Sequence, residues 1–251
     1  MGIRYLDLLS CWYFSIFALQ ISNLPSLTTR AHGLSSNKSM SLATYVEAFV
    51  SIRYVCLVFD YRRWGLSDGI PRDVLRVQEQ LDGYRTVIKY ARQQAEFDPH
   101  RVVVIYEHAI YAFQPSVNAF AVIAQCPYTG TMPLFDAEPV YIPVGTQPGR
   151  VGVMTTPGSE DGLWAICPEQ RSIPRYKPYS RAADIQCPIL VVAPLEDNLC
   201  TMEGIHKIKN TSRAEVFETV KAGHFEVYPG QLYYDASIVS QITFLRRNVP
   251  V

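Results

Sequence analysis

Two residues in the C-terminal third have the types that general-base chemistry needs. Asp197 stands in Pro194-Leu195-Glu196-Asp197-Asn198, directly after the apolar run ILVVA (189–193), and His224 stands in Lys221-Ala222-Gly223-His224-Phe225, directly after AEVFETV (214–220). A carboxylate bonded to one imidazole nitrogen fixes the tautomer and leaves the other nitrogen to act as a base. Singly, each has a plainer use, Asp197 as a helix N-cap and His224 as a polar turn residue. Following consecutive strands in this order, they point to a working Asp–His pair.

The elements that must position this pair can be read from hydrophobic period. YVCLVFD (54–60), RVVVIY (101–106), FAVIAQ (120–125) and ILVVA are continuous apolar runs rich in β-branched residues, the pattern of strands buried on both faces. After Pro71, bulky residues at Val74, Val77, Leu81, Tyr84, Val87, Ile88 and Ala91 mark one face of a helix that should reach about Phe97, before Asp98-Pro99 ends it. A helical stretch at 201–209, the strand 214–220 and a final helix from about Leu232 to Arg247 complete the alternation. Strands alternating with helices imply an α/β fold with a mainly parallel sheet, in which chemistry belongs at the carboxyl ends of the strands.

Composition narrows the function classes. The 251 residues carry 23 Lys plus Arg against 23 Asp plus Glu, and 48% are hydrophobic. That length fits one domain with a large core. Zero net charge and no basic run leave no electrostatic grip for a polyphosphate backbone, so nucleic acid is not an expected partner. The cysteines at 11, 56, 126, 167, 187 and 200 form no CxxC pair and no four-ligand spacing, so no metal site is expected. They read as buried reduced thiols in a reducing, cytoplasmic compartment. The sequons at Asn37 and Asn210 match chance expectation. No GxGxxG, GxxxxGK[ST] or HExxH occurs, so a dinucleotide, a nucleotide phosphate and a catalytic zinc lack their usual anchors. Arg62-Arg63-Trp64 beside Asp60 could attract an anionic group, but a surface salt bridge is the expected use.

The segment LLSCWYFSIFALQI (8–21) is set apart as an apolar N-terminal region, residues 1–23, ahead of a domain over 24–251. Fourteen residues are short for a bilayer span, and the segment has a poor charged flank and no small-x-small cleavage site. A buried or membrane-associated amphipathic helix is expected there, with a signal or anchor as the alternative.

Several motifs in series carry a family resemblance. Ala31-His32-Gly33-Leu34-Ser35, KSMSLATYVEAF (38–49), VCLVFDYRRWGLSDGIPR, YRTVIKYARQQAEFDPHRVVVI, AQCPYTG, YIPVGTQPGRVGVMTTP and AGHFEVY together resemble the fungal polyketide transferase family of α/β-hydrolases, over about residues 24–250. That family is associated with fumagillin-type and host-selective-toxin clusters. The resemblance implies an α/β-hydrolase fold and an enzyme that takes an acyl group from a thioester and passes it to an alcohol or water. The implied partners are a small acyl substrate and an alcohol acceptor, with no cofactor beyond the thioester donor. It makes Asp197 the triad acid and His224 the base. The backbone N–H of Leu34, after His32-Gly33, would be one oxyanion donor, with Ala109 the residue following the nucleophile. Some relatives are peroxisomal, but Asn248-Val249-Pro250-Val251 is no peroxisomal tripeptide.

The chain departs from that pattern where a Gly-x-Ser-x-Gly turn should follow RVVVI. It has Tyr106-Glu107-His108-Ala109-Ile110, placing His108 at the nucleophile position, with Ser116 and Cys126 as substitutes. The opening strands look replaced, Leu27-Thr28-Thr29-Arg30 is unusually polar for a central strand, and short spacings before Tyr141 and Tyr176 imply a reduced cap. Three readings follow: an acyltransferase or thioester hydrolase with an altered nucleophile, a binding protein of the same pathway, and a degenerate paralogue.

Overall fold

The computed structural model describes residues 2–6, 9–14, 26–31, 33, 36–39, 42–72, 76–95, 97–106, 118–129, 141–143, 164–166, 178–197, 201–212, 214–219 and 221–251. Among the described residues the elements follow one another as β1 (Gly2–Leu6), β2 (Leu9–Phe14), β3 (Leu27–Ala31), α1 (Leu42–Ser51), β4 (Val55–Phe59), α2 (Val77–Arg92), β5 (Val102–Tyr106), β6 (Ala121–Gln125), β7 (Tyr141–Pro143), β8 (Trp164–Ile166), β9 (Ile189–Pro194), α3 (Met202–Thr211), β10 (Glu215–Thr219) and α4 (Tyr234–Asn248). A 3₁₀ turn over Pro178–Asp184 precedes β9.

The main sheet has the order β1-β2-β4-β3-β5-β6-β9-β10, with β7 and β8 forming a separate antiparallel pair. From β4 to β10 every neighbour is parallel, while β2 joins β4 antiparallel and β1 folds back on β2. The expected α/β fold with a mainly parallel sheet is therefore present. Its central strands are buried along their length because helices cover both faces. Alternate residues of one strand serve opposite layers. Val103 and Ile105 pack with Tyr45, Val46 and Phe49 of α1 and Phe244 and Leu245 of α4, whereas Val102 and Val104 pack with Leu81, Tyr84 and Val87 of α2 and Ile205 and Ile208 of α3. Of the face read along α2, Leu81, Tyr84, Val87, Ile88 and Ala91 are all buried, the helix begins at Val77, and Val74 lies outside the described residues.

Three expectations change. The apolar segment 8–21 is not helical where it is described: Leu9–Phe14 is a strand, and β1 and β2 supply opening strands of the sheet. Its aromatic and branched residues suit a pleated surface, and pairing with β4 satisfies its backbone without a helix. The polar strand β3 is central, between β4 and β5. Its hydroxyls meet neighbouring strands: Thr28 Oγ1 donates to the Val55 carbonyl at 3.2 Å, and Thr29 Oγ1 donates to the Val103 carbonyl at 3.4 Å. Thus polar side chains fit a buried strand when the next ladder supplies acceptors. Finally, α2 ends at Arg92, and Phe97 reaches the core from the following loop.

Candidate active site

The carboxyl ends of three neighbouring strands, β6, β9 and β10, converge on one buried cluster. Asp197 lies just past β9 and His224 just past β10, and His224 Nδ1 is 2.8 Å from Asp197 Oδ2. Both side chains are almost wholly withdrawn from solvent. The loops that carry them are stitched together, with the Leu195 N–H donating to the Thr219 carbonyl at 3.1 Å and the Glu196 N–H to the Ala222 carbonyl at 2.9 Å. The imidazole packs edge-on against Phe225, at 5.1 Å between ring centroids, and stacks on Tyr228 at 6.2 Å. With a carboxylate at Nδ1, the proton belongs on that nitrogen, and Nε2 keeps the basic lone pair.

Behind this pair runs a buried polar chain that sequence reading did not find. The Gln241 side-chain amide of α4 donates to Gln125 Oε1 at 3.0 Å, the Gln125 amide donates to Tyr45 Oη at 2.9 Å, and Tyr45 Oη donates to the Val227 carbonyl at 2.5 Å. The Arg30 guanidinium lies 4.0 Å over the Tyr45 ring. This chain joins α4, β6 and α1 to the turn holding His224, so it fixes the height of the imidazole above the sheet. Gln125, at the end of an apolar strand, and Gln241, among apolar residues of the last helix, were the available signals.

Cys126 closes the third side. It follows β6 with φ +46°, a left-handed conformation that L residues other than glycine, asparagine and aspartate rarely adopt. The turn is held by its N–H, which donates to the Val192 carbonyl at 2.9 Å, and the thiol lies 3.5 Å from the His224 carbonyl. The other described thiols are free and remote from this chemistry: Cys11 and Cys56 are pushed up to about 12 by burial, and Cys187 to about 11.

The remaining site expectations fare differently. Gly33 is buried directly beyond β3, whereas His32, Leu34, His108, Ala109 and Ser116 lie outside the described residues, as does most of the region expected to form a reduced cap. Arg63 grips Glu79 with two hydrogen bonds, at 2.7 and 2.9 Å, and this contact holds the Glu79 carboxyl below its usual range. The arginines beside Asp60 therefore include the ion pair expected of them.

The comparisons agree with the fold. No family profile matches the chain. Its fold is similar to that of DcsB in complex with a substrate analogue (TM-score 0.78, 15% identity, 99% of each chain). It is also similar to the α/β hydrolase GrgF from Penicillium sp. sh18 (TM-score 0.77, 17% identity, 97% of this chain and 95% of that one). In sequence it is 30% identical over 262 residues to the quorum-quenching protein AidA of Acinetobacter baumannii, covering 88% of this chain and 86% of AidA. The chain belongs to the family of AidA, and its fold is that of the α/β-hydrolases. A shorter stretch of 81 residues is 31% identical to the thiohydrolase aneE of Aspergillus aculeatus, covering 32% of this chain and 25% of aneE. In this fold Asp197 and His224 stand at the ends of the last two strands. Among the described residues no helix is long and apolar enough to cross a membrane.

Proposed function

We propose that this protein is an acyltransferase or thioester hydrolase acting on a small carrier-bound acyl group, in the biosynthesis of a fungal polyketide-derived metabolite. The observation that carries this reading is the buried Asp197–His224 pair, joined at 2.8 Å beyond the ends of consecutive parallel strands. In this mechanism His224 takes the proton of the attacking group at Nε2, while Asp197 stabilises the imidazolium that forms. The carbonyl carbon gains the nucleophile, the tetrahedral intermediate collapses with cleavage of the carbon–sulfur bond, and the departing thiolate recovers the proton from His224. The backbone N–H of Leu34, after His32-Gly33, would be one donor to the oxyanion. Where His108, at the sequence position of the nucleophile, takes the acyl group, water or an alcohol deprotonated by His224 then attacks that acyl carbonyl, and the bond to His108 breaks to free its imidazole. The likeness to a thiohydrolase supports a thioester as donor.

A second reading, a protein that binds acyl carriers without turning them over, is favoured by one observation: Tyr106-Glu107-His108-Ala109-Ile110 contains neither the serine nor the glycines of a nucleophile elbow. One experiment separates the two. The purified chain is incubated with a panel of acyl-CoA thioesters while intact mass and released thiol are followed. Enzymatic turnover gives thiol release that disappears in His224→Ala. Saturable binding without product supports the binding reading, and absence of both overturns both.

A further inference from the structure

The cluster at the three strand ends has a capacity that the acid–base pair does not use. Cys126 from β6, Asp197 from β9 and His224 from β10 each offer one ligand atom, these atoms lie within 4.8 Å of one another, and all three residues are buried. We propose that Cys126, Asp197 and His224 form a three-ligand site for a thiophilic divalent cation, zinc above all, and that the bound metal switches off the His224 base.

The donor set selects the ion. Sulfur and imidazole suit zinc, whereas magnesium and calcium need shells of oxygen that this cluster does not provide. Tetrahedral zinc with bonds of about 2.3 Å to sulfur and about 2.0–2.2 Å to nitrogen and oxygen places its ligand atoms about 3.3–3.6 Å apart. The Asp197–His224 contact of 2.8 Å must open slightly and the widest separation of 4.8 Å must close, shifts within reach of side-chain rotation. Charge also balances, since a thiolate and a carboxylate together neutralise the cation in a buried place. The backbone points the same way: Cys126 holds a positive φ of +46° where its thiol joins the pair, and such outliers persist where the surrounding structure enforces them.

The consequence for catalysis follows from counting lone pairs. A neutral imidazole has one basic lone pair, on whichever nitrogen lacks the proton. A metal bound at either nitrogen takes that pair and sends the ring proton to the other, so the metal-bound ring cannot accept a proton from an attacking group. On binding, the thiol proton passes to solvent. Metal binding itself does not depend on the acyl-transfer reading; only the loss of catalysis does.

The test uses the full chain, freed of metal and titrated with zinc or cadmium. One equivalent is expected to bind, with a single metal–sulfur path at about 2.3 Å beside nitrogen and oxygen in zinc X-ray absorption, and with a thiolate-to-cadmium ultraviolet band. In Cys126→Ser the band and the sulfur path disappear. In His224→Gln zinc affinity falls on the order of 100-fold, which gives a reading even where Cys126→Ser fails to fold. A wild-type chain with no metal–sulfur path overturns the proposal, as does binding unchanged in His224→Gln. A chain that binds zinc this way but releases no thiol even when freed of metal counts against the acyl-transfer reading alone, and thiol release unchanged by one equivalent of zinc overturns the switch.

Discussion

At His224 the ring is gripped by Asp197 at Nδ1, Phe225 at its edge and Tyr228 against its face, while the Cys126 thiol meets the backbone carbonyl of the same residue. Packing can hold the plane of the ring, but only the carboxylate chooses its tautomer. In Asp197→Asn the amide can turn its NH2 group toward Nδ1 and stabilise the wrong tautomer. We therefore expect kcat/KM for thioester cleavage to fall on the order of 10³–10⁴-fold, with the far-ultraviolet circular dichroism unchanged. Steady-state thiol release checks it, and a loss below tenfold removes Asp197 from the mechanism. This pair was legible in the sequence because each residue stands a few positions past a strongly apolar strand. The approach of Cys126 was not, because it depends on β6 lying beside β9, and the spacing of 126, 197 and 224 does not encode strand order.

Between elements, the loop after β3 is held by an ion pair with no solvent exposure. Lys38 Nζ lies 2.5 Å from Asp60 Oδ2 and 2.9 Å from Ser10 Oγ, while the backbone N–H of Lys38 and of Leu66 also donate to the Asp60 carboxylate. One carboxylate thus ties β2, the loop before α1 and the turn after β4 together. Lys38→Met leaves Asp60 buried without its cation and should cost about 3–5 kcal/mol in urea unfolding. A cost under 1 kcal/mol would show that the two backbone donors suffice. Helix α3 makes a second demand, since a Cβ on Gly204 would lie 2.2 Å from Thr129 in the loop after β6. Gly204→Ala should destabilise the chain by about 1–3 kcal/mol, although alanine is the better helix former by about 1 kcal/mol. An unchanged urea midpoint would mean that the loop yields. The strands β4, β5, β6 and β9 were readable from their unbroken apolar runs. Strand β2 was not, because a short apolar segment has no period that separates strand from helix, and only its pairing with β4 decides.

For the whole molecule, the sheet buries weak acids that an unfolded chain would expose. Cys11 and Cys56 are pushed up to about 12 from an ordinary value of 9.0, first by burial, with Lys38 and Thr28 respectively opposing the shift. Cys187 rises to about 11, and Tyr54 and Tyr128 to about 12, again chiefly through burial. Between pH 9 and 12 the folded chain therefore holds more protons than the unfolded one. Stability must then fall as pH rises, since its slope follows the unfolded minus the folded proton count. The stabilisation is complete below pH 9, where both states are protonated, and is lost progressively as pH climbs toward the raised values. The thermal midpoint should accordingly drop steadily from pH 9 upward. The double variant Cys11→Ala, Cys56→Ala removes two of these groups, and its midpoint should decline less steeply between pH 9 and 10.5 even though its midpoint at pH 7 is lower. Scanning calorimetry across that range decides, and parallel slopes for the two proteins would assign the alkaline loss to other groups.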